Sequence, residues 1–261
     1  MIVDGKVIAG EILARAKARA QKLSHPPLVV AITGNDTAAT RSYLKIKERR
    51  AADAGCRFEV RDLGASYDDA DAVIVQLPLA EGVDAKPMLD AIPVEKDADV
   101  LSTAARMKFE ADEKDALVPP VAGAIAEILK AHEVDPKGKK AVVIGAGWLV
   151  GQPCATWLAH AGAEVTHLKT RASDLSVLIS ADIVVSGAGS PHLIKPEMLK
   201  PGVVLIDAAT SESEGELVGD ADPACADIAA LFTPVPGGVG PIAVACLFAN
   251  AVTLAERGLN I

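Results

Sequence analysis

The chain has 261 residues, 50% of them hydrophobic but only 3% aromatic, and a formal net charge of −9. That length exceeds the usual size of one compact domain, and the negative charge opposes binding to nucleic acid or to anionic membranes. The four cysteines show no metal-ligand or disulfide spacing, so we predict no metal site and buried free thiols. No secretory pattern is present, and no run approaches the roughly 18 apolar residues that span a bilayer. We therefore expect a cytoplasmic protein without nucleic-acid or membrane partners.

The first part of the chain alternates amphipathic helices with short apolar strands. The predicted elements are a helix at 8–23, a strand at 28–33, a helix at 37–54, strands at 58–63 and 72–77, and a short helix at 87–92. The link between the last two strands is shorter than the roughly dozen residues that a parallel crossover needs. These two strands are therefore predicted to be antiparallel or not direct neighbours. Residues 104–116 are charged and lack an apolar period, which predicts an exposed, mobile loop.

A second series of alternating strands and helices follows. Its predicted elements are a helix at 121–132, a strand at 141–144, a glycine turn, a helix at 150–161, strands at 164–168, 183–185 and 203–206, and a last helix at 241–257. Two such series indicate an α/β fold with two domains, an N-terminal α/β domain and a Rossmann-like dinucleotide-binding domain.

The glycine turn at 145–151 joins a predicted strand to the helix that follows it. Its spacing is G-x-G-x-x-x-G, one residue longer than the common dinucleotide fingerprint. Glycines at such a turn let the backbone approach a pyrophosphate, whose charge is favoured by the helix N-terminus. The predicted cofactor contacts here are Gly145, Ala146, Gly147, Val150 and Gly151. A tight turn without a ligand is the alternative interpretation.

The residues after the strand at 164–168 favour one nicotinamide cofactor over the other. NAD sites usually place an acidic residue at this point to bind the ribose hydroxyls. Here the strand is followed by Lys169, Thr170 and Arg171, whose two cations and hydroxyl suit a 2′-phosphate. The sequence therefore favours NADP over NAD, with a solvated pair of surface charges as the other interpretation.

The predicted helix at 37–54 carries a group of functional side chains on one face. Tyr43 and Lys47 are four residues apart, and Thr40 precedes Tyr43 by three, so all three share that face. A stacking ring, a hydroxyl and an amine are the components of a binding and catalytic site. The alternative is a partly exposed helix surface.

Three further segments carry polar or rigid groups that suit ligand binding. Gln76 lies near the carboxyl end of an apolar strand, where open α/β sheets place such groups. The segment 96–99 places two carboxylates in a turn, and we assign Asp97 a loop-stabilising role there. The segment 234–240 is a rigid, glycine-rich loop that could lie against a flat ligand or simply lead into the last helix.

Four motifs occur in the order found in a known enzyme family. They are Tyr43-x-x-x-Lys47, Val-Gln-Leu-Pro-Leu at 75–79, Lys-Asp-Ala-Asp at 96–99 and Thr-Pro-Val-Pro-Gly-Gly-Val-Gly-Pro at 233–241. Together they resemble the bifunctional methylenetetrahydrofolate dehydrogenase/methenyltetrahydrofolate cyclohydrolase family. The segments 142–151, 181–185 and 217–220 add matches, so the resemblance covers nearly the whole chain. The string at 233–241 is its most specific part.

The resemblance implies oxidation of 5,10-methylenetetrahydrofolate with NADP, followed by hydrolysis of the methenyl product to 10-formyltetrahydrofolate. It implies that Lys47 is the central catalytic residue and that Gln76 tunes and positions it. Tyr43 would stack along the folate, and Asp99 would hold the pterin ring. The other implied folate contacts are Thr40, Leu77, Pro78, Pro236, Gly237 and Gly238, and the other implied cofactor contacts are Gly189 and Thr210.

The resemblance also implies a domain organisation. We expect a folate-binding, catalytic domain of residues 1–120 with 241–261 and a dinucleotide-binding domain of residues 121–240. The last helix would return to the first domain, the site would lie in the cleft between the domains, and the protein would form a homodimer.

Some positions depart from the family pattern. The helix usually found between the strands at 58–63 and 72–77 is missing, Val100 stands where a glycine is expected, and Gly147 replaces a serine. The loop at 101–116 and the entry to the linker helix at 118–121 also differ.

Other enzyme classes explain the motifs less well. In short-chain dehydrogenases the Tyr-x-x-x-Lys pair follows the glycine turn, whereas here it precedes the turn. A shikimate-dehydrogenase-like enzyme leaves the strings at 75–79 and 233–241 unexplained. The remaining alternatives are a monofunctional dehydrogenase of the same family and a non-catalytic folate or nucleotide sensor, which would not need Lys47.

Overall fold

The computed structural model describes residues 1–169, 174–213 and 216–259. The chain divides into two compact units. Met1–Ala9 with Val121–Ala243 holds a five-stranded sheet, and Gly10–Pro120 with Val244–Ile261 holds a three-stranded sheet. We call them the five-stranded unit and the three-stranded unit. The α-helices in the described residues are α1 (Gly5–Ala20), α2 (Ala38–Asp53), α3 (Lys86–Asp90), α4 (Thr103–Glu110), α5 (Pro120–Ala131), α6 (Gly151–His160) and α7 (Val239–Gly258).

The three-stranded sheet is built on β1 (Leu28–Thr33), with β2 (Arg57–Asp62) along one edge and β3 (Ala72–Gln76) along the other. Both pairings are parallel. Because β1 lies between them, β2 and β3 are not direct neighbours, which confirms the second of the two predicted alternatives. An isolated bridge between Val73 and Asp97 places the segment 96–99 beside β3.

The predicted mobile loop at 104–116 is wrong over much of its length, because residues 103–110 form α4. The hydroxyl of Ser102 caps this helix by accepting a hydrogen bond from the backbone N–H of Ala105, at 3.2 Å. Ala105 and Phe109, four residues apart, are buried on one face. Charged residues on the other face obscure this apolar period in the sequence. One of them, Lys108, donates from its Nζ to the Oδ2 of Asp115 at 2.8 Å.

The C-terminal part of α7 packs within the three-stranded unit. The rings of Phe58 and Phe248 meet edge to face, with their centroids 6.2 Å apart. From α1, Arg19 donates to Thr253 at 2.7 Å and to Glu256 at 2.5 Å. The predicted return of the last helix to the first domain is confirmed.

One side chain of α7, Asn250, joins two loops of this unit. Its amide nitrogen donates to the carbonyl oxygens of Ala98 and Val118, both at 3.0 Å. Ala98 lies in the segment 96–99, so α7 also holds that segment in place.

By length and composition α7 could also cross a membrane, which contradicts the prediction that no segment is apolar enough. The most apolar stretch of this helix is 56% buried inside the protein. That burial is typical of the core helix of a soluble protein.

The five-stranded sheet contains β4 (Lys140–Ile144), β5 (Glu164–Leu168), β6 (Ile183–Ser186), β7 (Val204–Asp207) and β10 (Leu231–Phe232). Their order is β10-β7-β6-β4-β5, and every pairing is parallel. A short antiparallel pair, β8 (Ser211–Ser213) and β9 (Glu216–Val218), was not predicted. The described residues also include 3-10 helices at Leu175–Ser180, Pro196–Met198 and Pro223–Asp227. All four cysteines are free and buried, as predicted.

Candidate active site and glycine turn

Lys47 and Gln76 meet in the three-stranded unit. Lys47 projects from α2, whose N-terminus is capped by the Thr37 hydroxyl, and Gln76 is the last residue of β3. The Lys47 Nζ donates to the Oε1 of Gln76 at 2.9 Å. The Gln76 amide nitrogen donates to the carbonyl oxygen of Leu77 at 2.8 Å, which fixes the orientation of the amide. The helix and the strand end therefore aim the amine at a defined acceptor.

The charges around this amine shift the pKa values of two groups. Burial lowers the pKa of Lys47, and the negative charge of Asp99 acts in the opposite direction. Burial raises the pKa of Asp99 to about 6, Lys47 opposes that shift, and Asp97 adds to it. The amine and the carboxyl group are thus electrostatically coupled, and both titrate closer to neutrality than their free counterparts.

The loop that carries Asp99 is held by its neighbour Asp97. The buried carboxylate of Asp97 accepts backbone N–H groups from Leu101 at 3.0 Å and from Ser102 at 2.7 Å. This confirms the loop-stabilising role predicted for Asp97. Val100, where the resemblance leads one to expect glycine, has a φ of 57°, in the left-handed region that β-branched residues rarely adopt. The loop therefore holds Val100 in a backbone conformation that glycine adopts more readily.

The side chains at the start of α2 lie in different environments. Tyr43 is 47% exposed, so its ring is available for stacking. Thr40 is buried, and its hydroxyl bonds the side chain of Thr37 at 2.9 Å and also donates to that of Asn35. Asn35 in turn donates to the carbonyl oxygen of Pro78. Asn35, which the sequence did not single out, thus joins the start of α2 to the segment after β3.

Three glycines of the five-stranded unit pack against one another at the carboxyl ends of β4 and β6. A Cβ at Gly151 would lie 1.8 Å from the carbonyl oxygen of Gly145, and a Cβ at Gly145 would lie 2.5 Å from that of Gly187. A Cβ at Gly187 would lie 2.3 Å from the Cγ1 of Val150. Gly145 also has a φ of 117°. Backbone contacts this close leave no room for side chains, so the turn is tightly closed at the start of α6.

The outer part of the turn is open. Ala146 and Gly147 are exposed, and a Cβ at Gly147 would meet no atom within 4 Å. His167 of β5 bonds the carbonyl oxygen of Gly145 through its Nε2 at 2.7 Å. Lys169, which follows β5, is exposed, whereas Thr170 and Arg171 lie outside the described residues.

The glycine-rich loop at 234–240 packs against the N-terminal segment of the chain. The backbone N–H of Gly5 donates to the carbonyl oxygen of Gly237 at 3.0 Å. A Cβ at Gly5 would lie 1.9 Å from the carbonyl oxygen of Gly238. Pro236, at the tip of the loop, is exposed. The glycine at position 5 therefore has a physical reason, since only a glycine admits this contact.

Two further predicted cofactor contacts are Gly189, which follows β6, and Thr210, which follows β7. Both are exposed. Sequence reasoning missed two buried carboxylates nearby, Asp207 and Asp220. Burial raises the pKa of Asp207 to about 6, backbone N–H donors from Ala221 and Ala209 oppose that shift, and Asp220 adds to it. For Asp207, the signal that could have revealed it is an acidic residue at the end of the apolar strand β7, whereas Asp220 follows the mostly exposed strand β9 and gives no such signal.

These features define a class of protein, a two-unit α/β enzyme with an amine-centred site and a dinucleotide-type glycine turn. Residues 3–99 match the tetrahydrofolate dehydrogenase/cyclohydrolase catalytic domain, and residues 119–259 match the NAD(P)-binding domain of the same family. The chain therefore belongs to the tetrahydrofolate dehydrogenase/cyclohydrolase family, which confirms the resemblance inferred from its motifs.

Individual relatives extend over the full length of the chain. The bifunctional protein FolD of Lacticaseibacillus casei is 37% identical, covering 99% of this chain and 98% of its own. The crystal structure of the bifunctional FolD enzyme from Campylobacter jejuni superposes with a TM-score of 0.94 at 30% identity, covering 99% of each chain. The Trypanosoma brucei enzyme, complexed with NADP cofactor and inhibitor, has a TM-score of 0.90 at 31% identity and covers 100% of this chain and 99% of its own.

The glycine packing predicts that two alanine substitutions in the same turn differ in their effect on stability. We expect Gly151→Ala to lower the free energy of unfolding by about 2 kcal/mol, because its Cβ overlaps the Gly145 carbonyl. Gly147→Ala is the matched control and is expected to change it by less than about 0.5 kcal/mol, because its Cβ enters open space. Urea unfolding of the purified variants measures both. Equal losses of stability would contradict the packing described here.

Proposed function

We propose that this chain oxidises 5,10-methylenetetrahydrofolate to the 5,10-methenyl form with NADP and hydrolyses that product to 10-formyltetrahydrofolate. The observation that carries the proposal is the hydrogen bond of 2.9 Å between Lys47 and Gln76 beside Asp99. An amine whose pKa is lowered by burial is suited to proton transfer near neutral pH. Family membership supports both activities, and a sensor without catalysis would not need the amine.

In the hydrolytic step, Lys47 moves the protons. As water adds to the methenyl carbon, the neutral amine accepts a proton from that water. It then gives a proton to the folate nitrogen whose bond to the carbon breaks, while the hydroxyl of the adduct releases its proton to solvent and becomes the formyl oxygen. Gln76 keeps the amine aimed by accepting its hydrogen bond. Asp99, as a hydrogen-bond acceptor when ionised, would bind N–H groups of the pterin ring.

The glycine turn supplies the features that a dinucleotide requires. Its glycines bring the backbone of the turn close to the start of α6, and the open space over Gly147 would admit a phosphate close to that backbone. We propose that Ala146, Gly147 and Val150 hold the pyrophosphate, with Gly189 and Thr210 as further contacts. Bound at these residues, NADP would supply the acceptor for the hydride of the methylene carbon.

We favour NADP over NAD on the charge that follows β5. Lys169 is exposed where NAD enzymes usually carry an acidic residue, and Arg171 follows it in the sequence. The Trypanosoma brucei relative was crystallised with NADP. A Saccharomyces cerevisiae enzyme of the same fold, 18% identical, is NAD-dependent, so the alternative cofactor has to be tested directly.

We also expect a homodimer, as the resemblance implies, and a cytoplasmic location, as the lack of a secretory pattern in the sequence indicates. The net charge of −9 supports the absence of a nucleic-acid partner.

The proposed function is tested by following the reduced cofactor and the methenyl product by absorbance, with both cofactors. We expect Lys47→Ala to slow methenyl hydrolysis by at least about 10²-fold, since it removes the acid–base group. Lys45→Ala, an exposed lysine of the same helix, is the matched control and should retain the wild-type rate. In the wild-type protein, hydride transfer without hydrolysis would indicate a monofunctional dehydrogenase. Folate binding without reduction of either cofactor would indicate a sensor.

The coupling of Lys47 to Asp99 predicts a pH shift. Ionised Asp99 raises the pKa of Lys47, so Asp99→Asn should lower that pKa further and increase the neutral fraction of the amine at a given pH. The acid limb of the cyclohydrolase pH profile should therefore move to lower pH, whatever the loss in substrate affinity. The measurement is kcat against pH at saturating substrate, and an acid limb that stays in place or moves upward would contradict the coupling.

The choice of cofactor depends on Lys169 in this proposal. We expect Lys169→Ala to raise the KM for NADP about tenfold, the effect of losing one charge-assisted hydrogen bond, and to leave the KM for NAD unchanged. Lys139→Ala is the control, because Lys139 is exposed directly before β4, at the opposite end of the sheet. Equal changes for both cofactors would mean that Lys169 does not bind the 2′-phosphate.

A further inference from the structure

Two buried carboxylates lie in the five-stranded unit at the carboxyl ends of its inner strands. Asp207 is the last residue of β7, and Asp220 follows β9; the first is 1% exposed and the second is fully buried. The catalytic steps proposed above use neither of them. A buried carboxylate is costly unless hydrogen-bond donors surround it, so the donors of each group indicate what it holds in place.

Asp220 holds the loop that follows β6. Its Oδ2 accepts from the Ser186 hydroxyl at 2.5 Å and from the backbone N–H of Ala188 at 2.7 Å, and its Oδ1 accepts from that of Ser190 at 2.6 Å. Gly189 lies between the two backbone donors. The same loop begins at Gly187, whose N–H donates to the carbonyl oxygen of Ile144 at 2.8 Å, directly before the glycine turn.

The contact between this loop and the glycine turn is tight. A Cβ at Gly145 would lie 2.5 Å from the Gly187 carbonyl oxygen, and a Cβ at Gly187 would lie 2.3 Å from Val150. Any displacement of the loop therefore displaces the turn. Asp220 consequently acts on the nucleotide-binding backbone through the residues 187–190, without contacting the turn itself.

Asp207 holds two further segments. Its carboxylate accepts the backbone N–H of Ala209 at 3.1 Å, next to Thr210, and that of Ala221 at 2.8 Å, next to Asp220. Its own N–H donates to the hydroxyl of Thr233 at 2.7 Å, where the string at 233–241 begins. A Cβ at Gly219 would lie 2.1 Å from the Oδ2 of Asp207, so the glycine before Asp220 lets the two carboxylates approach.

We propose that Asp220, supported by Asp207, is a positioning residue that sets the backbone of the cofactor site for the dehydrogenase reaction. The proposal rests on the proposed function, because it assigns the glycine turn and the loop at 187–190 to NADP. Both carboxylates act through backbone donors, so their effect should appear in cofactor binding and not in the Lys47 chemistry of the other unit.

The test compares Asp220→Asn with Asp222→Asn. The first replaces an acceptor oxygen by an NH₂ group that faces hydrogen-bond donors. Asp222 is a matched control two residues away, because it also accepts a backbone N–H, from Ala224 at 3.0 Å, but bonds none of the residues 187–190. KM and Kd for NADP are measured, together with hydrolysis of supplied 5,10-methenyltetrahydrofolate, which needs no cofactor.

We expect Asp220→Asn to raise the KM and Kd for NADP about tenfold, with methenyl hydrolysis within about twofold of wild type. The control should leave all three quantities at wild-type values. An unchanged KM for NADP in Asp220→Asn, or an equal rise in the control, overturns the inference while leaving the proposed function intact.

A second variant decides the matter if Asp220→Asn does not fold. Ser186→Ala removes a single hydrogen bond to Asp220, and we expect it to raise the KM for NADP about threefold; an unchanged value overturns the inference. A wild-type protein that binds methenyltetrahydrofolate but no dinucleotide would overturn the proposed function, and the inference with it.

Discussion

The partial burial of one amine, that of Lys47, is the constraint on which the candidate active site of the three-stranded unit depends. A lysine amine is costly to remove from water, and the cost falls on its charged form, which is why burial lowers the pKa of Lys47. Among the described residues, Gln76 is the acceptor that compensates this cost, and Asp99 is the carboxylate whose charge favours the protonated amine. A stronger ion pair would keep the amine protonated at neutral pH. Without a hydrogen-bond acceptor, its orientation would not be fixed.

The surrounding structure keeps both partners in place. Gln76 ends a parallel strand and is fixed by a bond to the next carbonyl. Asp99 lies in a loop whose conformation is set by Asp97 through three N–H···O contacts to Leu101 and Ser102. These bonds also account for Val100 in a left-handed conformation, because the loop closes around Asp97 whether or not a glycine follows Asp99.

Much of this architecture could be predicted because it is local. Helix α2, the strands and the glycine turn follow from apolar periods, caps and glycine spacing. The meeting of Lys47 with Gln76 was implied by the family resemblance of the motifs. What could not be predicted depends on contacts far apart in the sequence. Helix α4 was missed because its charges hide a short apolar face, and Asp207 and Asp220 were missed because their donors come from three separate segments.

The two hydrogen bonds of Asn250 bear on the order in which the protein acquires its activity. A ribosome synthesises Lys47, Gln76 and Asp99 well before it reaches α7, yet Asn250 holds the carbonyl of Ala98, directly before Asp99. Phe248 and Thr253, which pack on β2 and α1, emerge equally late. The apolar core of the nascent three-stranded unit thus stays incomplete until α7 has been synthesised. A product truncated before α7 would carry every catalytic side chain and still lack the support that orients them.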